Sequence, residues 1–480
     1  MSVSIDNRQR ASMSFALEMF QQAAVRVPAY GDFLAKNGVK PGQIATTQDL
    51  AQVPPVDKDN YLTQYPVNEL LWDGSFDLAS AISTSSGSSG VPFFWFRGEQ
   101  STEDSIVYHD RILTHSFKTR EKATLCIVSF AMGSWIAGTY TYSALMALAD
   151  MGHRIVTVTP GINCSEVLDI LDRLAPRFEQ VLLMGYPPFV KDVLDKAETE
   201  GIDLARLDVK LLFAGEGFTE NWRDYVCAKI GKVGDIYATA AIYGTADAGA
   251  MGYETPRSIQ TRRLAGRNAK LADSLCLDSP TLPTLVQYDP ALRYTQTDRD
   301  GFLLFTVNNA MPLIRYRIKD KGRLFSSQDM GRLLQDCGEK ALPRNPYTDY
   351  PFIALYGRDD ISTTFYGLNI YPENIRAALE CVELCEYTTG KFVLTTVLDD
   401  TTQDQELDLC VELKAGGLRC GDDLSKLICE RVTDSLRRHN KEYNRLYEEM
   451  GACATPTVRL GEYGAKEFTI GVKHRWTARQ

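Results

Sequence analysis

The sequence predicts an α/β fold. We expect a large N-terminal domain of mixed and parallel sheets with flanking helices, and a small C-terminal α+β domain on a hinge. The chain has 480 residues, of which 44% are hydrophobic and 24% charged, which allows a large core and argues against intrinsic disorder. Apolar runs alternate with helix-length stretches in the middle of the chain. A shorter α+β pattern follows a polar, Pro-rich segment at 337–350.

The first predicted element is a helix over residues 10–38. Four apolar runs then predict buried strands at 124–130, 154–159, 181–186 and 209–214. Helix-length stretches accompany them at 136–151, 165–176, 188–200 and 219–231. Strands that alternate with helices predict crossover units and a parallel sheet covered on both faces.

The second half of the chain predicts shorter units. Residues 235–244 end in a Gly-rich turn, and further strands are expected at 301–307 and 311–317. A helix begins near Pro372, because proline suits the first turn of a helix. Strands at 391–397, 407–413 and 457–460 and a charged helix at 422–440 complete the pattern. We therefore expect domains at 1–359 and 360–480.

Charge and cysteine content exclude several classes of protein. The 52 basic and 62 acidic residues give a net charge of −10, which disfavours nonspecific binding to nucleic acid or anionic lipid. No apolar run reaches the roughly 18 residues of a membrane span, and the N-terminus lacks the apolar segment of a secretory signal. Eleven scattered cysteines predict a reduced, cytoplasmic protein. Cys381 and Cys385 are interpreted as ordinary helix residues, with zinc binding as the alternative.

A Ser/Gly-rich segment, Ser83 to Pro92, is the strongest local motif. Its glycines permit tight turns, and its hydroxyls and backbone N–H groups can cradle phosphate oxygens. The alternative is a flexible linker. It is not a Walker loop, because no Gly-Lys-Ser/Thr follows, and this disfavours kinases and GTPases of that design.

Three later motifs favour the phosphate-binding interpretation over the linker. They are Tyr243-Gly244-Thr245-Ala246-Asp247, Pro312 to Asp320, and Gly357-Arg358-Asp359-Asp360 followed by Gly367 and Pro372. Each is weak alone. In this order and spacing, they resemble the adenylate-forming superfamily of acyl-CoA synthetases, luciferases and peptide-synthetase adenylation domains, over roughly residues 25–476. Within it, the sequence is most similar to phenylacetate–CoA ligase-like proteins, because of the Arg-Tyr-Arg run after Pro-Leu-Ile and the segment VPAYGDFL at 27–34.

The resemblance implies an ATP site. The Ser/Gly loop would wrap the β- and γ-phosphates, the turn at 214–217 would form the adenine pocket, and Tyr243 would stack on adenine. Asp320 would hydrogen-bond the ribose, and Asp360 would be the hinge. Without the other motifs, the turn reads as an ordinary strand-to-helix connection. The implied nucleotide-binding residues are Ser85, Ser86, Gly87, Ser88, Ser89, Gly90, Gly215, Glu216, Gly217, Tyr243, Gly244, Thr245, Ala246, Asp320 and Arg358.

The resemblance also implies a catalytic cation and a metal site. Asp247 falls where the family usually has a Glu that helps to hold Mg²⁺, and a carboxylate is what this hard cation requires. The family's lysine lies near the C-terminus. Lys473 is the first choice here and Lys466 the second, and a solvated basic tail is the alternative.

The resemblance also implies that the segment 130–138, after the first predicted parallel strand, lines the acid pocket. Its aromatic and apolar side chains favour a flat aromatic or apolar acid, although they could equally be core residues. The implied pocket residues are Phe130, Met132, Gly133, Trp135, Tyr237 and Ile242.

Together these features predict an ATP- and Mg²⁺-dependent ligase that makes an acyl adenylate and passes the acyl group to CoA. An amine or a carrier-protein thiol are alternative acceptors, and a degenerate protein that binds nucleotide or acid without catalysis is a further alternative. Three departures from the family pattern motivate that last reading. Ala246 replaces a hydroxyl residue, Lys319 replaces a common Gly, and the C-terminal lysines lack the family's usual Pro-Arg-Thr-x-x-Gly-Lys sequence. A further departure is Phe93, which stands where many members have Lys.

Overall fold

The computed structural model describes residues 5–84, 93–276, 282–340, 349–358, 363–365, 368–398, 405–416 and 421–468. Helices and strands alternate along much of these ranges. The helices are α1 (Ile5–Arg26), α2 (Pro28–Lys36), α3 (Thr47–Leu50), α4 (Glu99–His115), α5 (Ile136–Asp150), α6 (Cys164–Arg173), α7 (Pro187–Thr199), α8 (Glu220–Lys229), α9 (Pro256–Ala265), α10 (Ala269–Cys276), α11 (Ser327–Asp336), α12 (Pro372–Leu379), α13 (Val382–Cys385), α14 (Gly421–His439) and α15 (Lys441–Met450).

The strands of the described residues form four sheets. They are β1 (Ala81–Thr84), β2 (Phe94–Arg97), β3 (Thr124–Ser129), β4 (Ile155–Val158), β5 (Gln180–Gly185), β6 (Val209–Ala214), β7 (Thr239–Thr245), β8 (Gly249–Tyr253), β9 (Thr284–Gln287), β10 (Tyr294–Thr297), β11 (Phe302–Val307), β12 (Leu313–Phe325), β13 (Phe352–Arg358), β14 (Thr363–Phe365), β15 (Leu368–Ile370), β16 (Thr388–Leu398), β17 (Gln405–Leu413) and β18 (Thr457–Gly461).

One mixed sheet of eleven strands organises the larger part of the molecule. Its strand order is β10-β11-β12-β13-β9-β8-β7-β6-β5-β3-β4. Five neighbouring strands at one end of the sheet, β4, β3, β5, β6 and β7, are parallel. From the β7–β8 hairpin onward, every neighbouring pair is antiparallel. The sheet therefore changes direction at β7.

The α/β fold class is confirmed, and the parallel half matches its prediction closely. The four predicted strands are β3 to β6, and the predicted helices between them are α5 to α8. All six residues of β3 and all six of β5 are buried. Strands that are buried on both faces read as continuous apolar runs, and this is why the sequence revealed them.

The N-terminal prediction of one helix over 10–38 is wrong in one respect. Two helices, α1 and α2, occupy this stretch, and Val27 between them is extended, with φ −106° and ψ 105°. Pro28 follows directly. A proline disfavours the helical conformation of the residue before it, so the helix ends and a second one starts.

The C-terminal segment has its own core. β16, β17 and β18 form a three-stranded sheet against which α12 and α14 pack, with Leu379, Leu409 and Ile428 fully buried between them. These elements correspond to the predicted strands and helices, including the proline at the start of α12. Cys381, however, precedes the short α13 rather than lying within a helix. No helix among the described residues is long and apolar enough to cross a membrane.

Lys319 is one of two residues on β12 in the left-handed region, with φ +65°. This explains why the resembling family often has Gly at the position. We predict that Lys319→Val lowers the free energy of unfolding by about 1–2 kcal/mol relative to Lys319→Gly, because a β-branched side chain is strained at positive φ. Urea denaturation measures the difference. The control is Lys321→Val on the same strand, where φ is ordinary. Equal stability of the two Lys319 variants would contradict the strain argument.

Candidate active site

The carboxyl end of β7 is the centre of the candidate site. Residues 239–241 of this strand are buried, whereas residues 242–245 are only partly buried. Gly244 suits this position, because a Cβ atom here would crowd the carbonyl oxygen of Gly249 on the facing strand at 3.0 Å. Residues 243–247 are therefore partly exposed at the point where the sheet changes direction, a common place for ligands in open sheets.

Tyr243 and Asp320 come together across the site. The Tyr243 hydroxyl donates to Asp320 Oδ2 over 2.5 Å, although the two residues belong to separate motifs. Asp320 is 6% exposed. On the next strand, Arg358 is its cross-strand backbone partner. Three of the predicted nucleotide-binding positions therefore share one corner of the sheet.

Asp247 lies just after β7, and its side chain is held by Tyr316. Tyr316 belongs to the Pro312–Asp320 motif but was not among the predicted site residues. The hydroxyl of the buried Tyr316 donates to Asp247 Oδ2 over 2.6 Å. Within the described residues, no cluster of three or more His, Cys, Asp and Glu side chains could hold a metal ion. A metal at this site would therefore rest on the Asp247 carboxylate and on ligand oxygens.

Arg97 was missed by the sequence analysis altogether. Its side chain is 0% exposed and donates from Nε to Ser83 Oγ over 3.0 Å and from Nη1 to the Asp247 carbonyl over 3.2 Å. It also donates to the carbonyl of Ala246. Burial lowers the pKa of its guanidinium to about 10, so it stays charged at neutral pH. Arg97 ties the Asp247 turn to the strand that enters the Ser/Gly segment.

Several predicted residues lie outside the described part of the chain. They are the loop residues Ser85 to Gly90, the hinge residue Asp360 and the first-choice lysine, Lys473. For Arg358 only the backbone is described. Lys466 is exposed and begins the short turn Lys466–Phe468, whose last residue is buried. The roles of these residues stay predictions.

The predicted acid-pocket residues are placed unevenly. Phe130 is 3% exposed and belongs to a core cluster, and Met132 and Ile242 pack against that cluster in partly buried positions. Trp135 is partly buried at the start of α5, and Tyr237 is 41% exposed. Gly133 has a φ of +82°.

One contact ties this segment to the Ser/Gly loop. Ser134 is hydrogen-bonded to Thr84 through their side-chain oxygens at 2.9 Å. The backbone N–H of Thr84 also donates to the Ser134 carbonyl over 2.9 Å. The segment at 130–135 therefore lies beside the start of that loop.

The turn after β6 has two glycines that cannot be replaced without displacing neighbours. Gly215 has a φ of +109°, and a Cβ on Gly217 would lie 2.6 Å from Thr284 Oγ1. Between them, Glu216 accepts a hydrogen bond from the Tyr186 hydroxyl. Its Oε1 also lies 3.3 Å from the guanidinium of Arg376 on α12.

Helix α12 and the residue after it bind the rest of this turn. Arg376 donates to the Gly217 carbonyl, and Glu380 Oε2 accepts from the Thr219 backbone N–H over 3.0 Å. The Thr219 hydroxyl donates to the same carboxylate. Burial raises the pKa of Glu380 to about 7, against the opposing charge of Arg376. The predicted adenine turn is therefore held from the C-terminal segment.

Comparisons with known proteins found relatives by sequence and by structure. No family model matches the chain. A phenylacetate-coenzyme A ligase from Aromatoleum evansii is 22% identical over 365 residues, which cover 74% of this chain and 71% of that ligase. A 2-hydroxyisobutyryl-CoA ligase in its postadenylation state superposes with a TM-score of 0.68, at 15% identity, over 100% of this chain and 91% of that one.

The chain has the fold of the adenylate-forming ligases. The same 2-hydroxyisobutyryl-CoA ligase in its thioesterification state gives a TM-score of 0.57, at 17% identity, over 99% of this chain and 90% of that one. The GH3.15 acyl acid amido synthetase also gives 0.57, at 13% identity, over 95% and 92% of the two chains. The resemblance inferred from the motifs is confirmed at the level of fold.

We predict that Glu380 gives the protein a pH-dependent stability. The pKa of the Glu380 carboxyl is about 7 in the folded protein and 4.5 for an ordinary glutamate, so the folded protein holds the carboxyl proton more tightly than the unfolded chain does. The stabilisation is complete below about pH 4.5 and is lost as the pH rises to about 7, with a magnitude of about 3 kcal/mol. Glu380→Gln should flatten this dependence in urea denaturation, whereas Glu386→Gln, at an exposed position, should retain it. An unchanged slope in Glu380→Gln would sink the argument.

Proposed function

We propose that this protein is an ATP- and Mg²⁺-dependent ligase that activates a carboxylic acid as an acyl adenylate and transfers the acyl group to CoA. The observation that carries the proposal is the hydrogen bond between Tyr243 and Asp320, since it joins two motifs that are 77 residues apart in the chain. The similarity to a phenylacetate-coenzyme A ligase supports the same activity.

Each proposed nucleotide contact suits its chemistry. The ring of Tyr243 would stack on adenine, while its hydroxyl holds Asp320 in place for the ribose hydroxyls. Arg358, which is paired with Asp320 across the strands, would contact the nucleotide from the neighbouring strand. The Ser85 to Gly90 loop would wrap the β- and γ-phosphates, and the turn at 215–217 would lie against adenine.

The donor set also fits Mg²⁺. This ion keeps several waters and is often bound by one or two carboxylates plus substrate phosphates. Asp247 offers one partly buried carboxylate, which the hydroxyl of Tyr316 orients. Bound there, Mg²⁺ would neutralise charge on the phosphate oxygens.

The reaction needs no side-chain nucleophile. A carboxylate oxygen of the acid attacks the α-phosphorus of ATP, a new P–O bond forms, and the bond to pyrophosphate breaks. The CoA thiolate then attacks the acyl carbonyl and displaces AMP. The protein's contribution is to position the reactants and stabilise charge on the phosphate oxygens. We assign the stabilising cation to Lys473, with Lys466 as the second choice.

The acid pocket is proposed to include the segment at 130–135. Met132, Trp135 and Ile242 are partly buried, and partly buried apolar side chains favour an aromatic or apolar acid. Phe130 would support this wall from the core. Tyr237 would contribute from the exposed side.

Two domains with a hinge at Asp360 complete the proposal. Residues 1–359 would bind ATP and the acid, and residues 360–480 would rotate between the two half-reactions. Transfer to an amine or to a carrier-protein thiol uses the same first half-reaction, and the fold similarity to an acyl acid amido synthetase keeps the amine alternative open.

The first prediction concerns pyrophosphate release from ATP and Mg²⁺ across a panel of aryl, heteroaryl and alkyl acids. We expect one aromatic or apolar acid to stimulate release, and CoA to allow turnover. Hydroxylamine serves as a generic trap for the adenylate. Release that is unaffected by CoA would favour the amine or carrier acceptor. Silence across the panel, from folded protein that binds ATP, would favour a non-catalytic binder.

The same assay tests the nucleotide site. Asp320→Ala should raise the KM for ATP roughly 10-fold or more, because a charge-assisted hydrogen bond is lost. The matched control is Asp336→Ala, an exposed carboxylate at the end of α11. Equal KM values in the two variants would remove Asp320 from the site.

The lysine assignment gives a further prediction. Lys473→Ala should slow adenylate formation by roughly 100-fold or more with folding intact, because a charge-stabilising group is removed from the developing phosphate charge. Lys466→Ala is the matched control on the same tail and should have little effect. The reverse result would move the role to Lys466. No effect of either variant would support the solvated-tail alternative.

A further inference from the structure

The C-terminal segment grips the turn at 214–219 at three points. Arg376 contacts Glu216 and the Gly217 carbonyl, and Glu380 accepts hydrogen bonds from Thr219. The Arg376 and Glu380 side chains are buried, and they lie one helical turn apart. Two side chains from one stretch of chain thus bind consecutive parts of the turn that the motifs assign to adenine.

The wider contact is built from charged groups. Lys391 Nζ lies 2.9 Å from Asp192 Oδ2, and Lys414 Nζ lies 3.0 Å from Asp195 Oδ2, both across from the C-terminal segment to α7. Lys191 of α7 donates to the Thr388 carbonyl over 3.2 Å. Charged pairs can separate and be rehydrated, so polar contacts of this kind are typical of domain interfaces that open.

This arrangement corresponds to one conformation of the fold. The superposition is better on the postadenylation state of the 2-hydroxyisobutyryl-CoA ligase, with a TM-score of 0.68, than on its thioesterification state, with 0.57. If the C-terminal segment rotates, Arg376 and Glu380 must leave Glu216 and Thr219, and the turn loses its outer contacts.

We propose that Arg376 is a positioning residue for the first half-reaction, which fixes the turn at 214–219 in its nucleotide-binding shape only while the C-terminal segment is docked. This inference rests on the proposed function. Nucleotide binding and docking then favour each other, because each stabilises the same conformation of the turn. Release of the turn on rotation would loosen the nucleotide end of the site as the second half-reaction begins.

The test separates the two half-reactions. In Arg376→Ala, the KM for ATP in adenylate formation should rise roughly 10-fold, since a buried charge-assisted contact is lost. Transfer to CoA from adenylate supplied in solution should be unchanged or faster. Arg376→Lys, which keeps the charge but not the forked geometry, should recover part of the loss. A purely structural role would slow both half-reactions equally and would overturn the proposal.

The control is Arg431→Ala. Arg431 forms an exposed ion pair with Glu383 inside the C-terminal segment, and its loss should leave both half-reactions unchanged. In a double-mutant cycle of Arg376→Ala with Glu216→Gln, the effects on the KM for ATP should be non-additive, because the two side chains share one contact.

A second measurement does not depend on activity. The backbone N–H of Thr219 donates to Glu380, so hydrogen exchange in a peptide that covers 214–219 reports docking directly. We expect faster exchange in Arg376→Ala and in Glu380→Ala, and no change in Arg431→Ala. Protected exchange in both interface variants would overturn the proposal, even if the enzyme proves active. If exchange is faster in the variants but the wild-type protein forms no adenylate, the docking role of Arg376 stands and the proposed function is rejected.

Discussion

The close approach of β7 and β8 is the constraint on which the site depends. The parallel strands end at β7, and the antiparallel half begins one tight turn later, so the backbones of Gly244 and Gly249 must nearly touch. A side chain at Gly244 would crowd the backbone of Gly249 and Ala250 on the facing strand. The turn places Asp247 opposite Tyr316 and leaves Tyr243 facing Asp320, and these contacts bring two distant motifs into one corner. Arg358, from the third motif, is the cross-strand backbone partner of Asp320.

The sequence predicted the parts of the fold whose signals are local. β3, β5 and β6 were evident because each is mostly apolar and buried, and α12 because Pro372 marks its first turn. β9, with only Thr284–Gln287, carries no such pattern, and its place between β8 and β13 comes from pairing across a long sequence distance. The motif residues Tyr243, Asp247 and Asp320 could be found because their order resembles a known family. Arg97 and Arg376 could not, because only tertiary contacts distinguish them from other arginines.

Buried charge is the second theme of the site. Arg97 is buried, and its hydrogen-bond acceptors within the described part of the chain are the uncharged carbonyls of Ala246 and Asp247 and the hydroxyl of Ser83. Arg376 faces the opposite situation. Burial disfavours its charge, but the carboxylates of Glu216 and Glu380 outweigh that effect and raise its pKa. The first arrangement joins the Asp247 turn to β1, whereas the second joins the turn at 214–219 to the C-terminal segment.

The departures from the family pattern disturb the site less than the sequence suggested. The Asp247 turn is held through the carbonyl of Ala246 rather than through its side chain, so the missing hydroxyl does not displace the carboxylate. Lys319 adopts the positive φ that a glycine would take, and its Nζ lies 3.2 Å from Asp59 at the surface. The strain therefore stays in one residue, while Asp320 beside it keeps its hydrogen bond to Tyr243. A degenerate site would have no reason to retain this pair, and its geometry favours a working ligase over a non-catalytic relative.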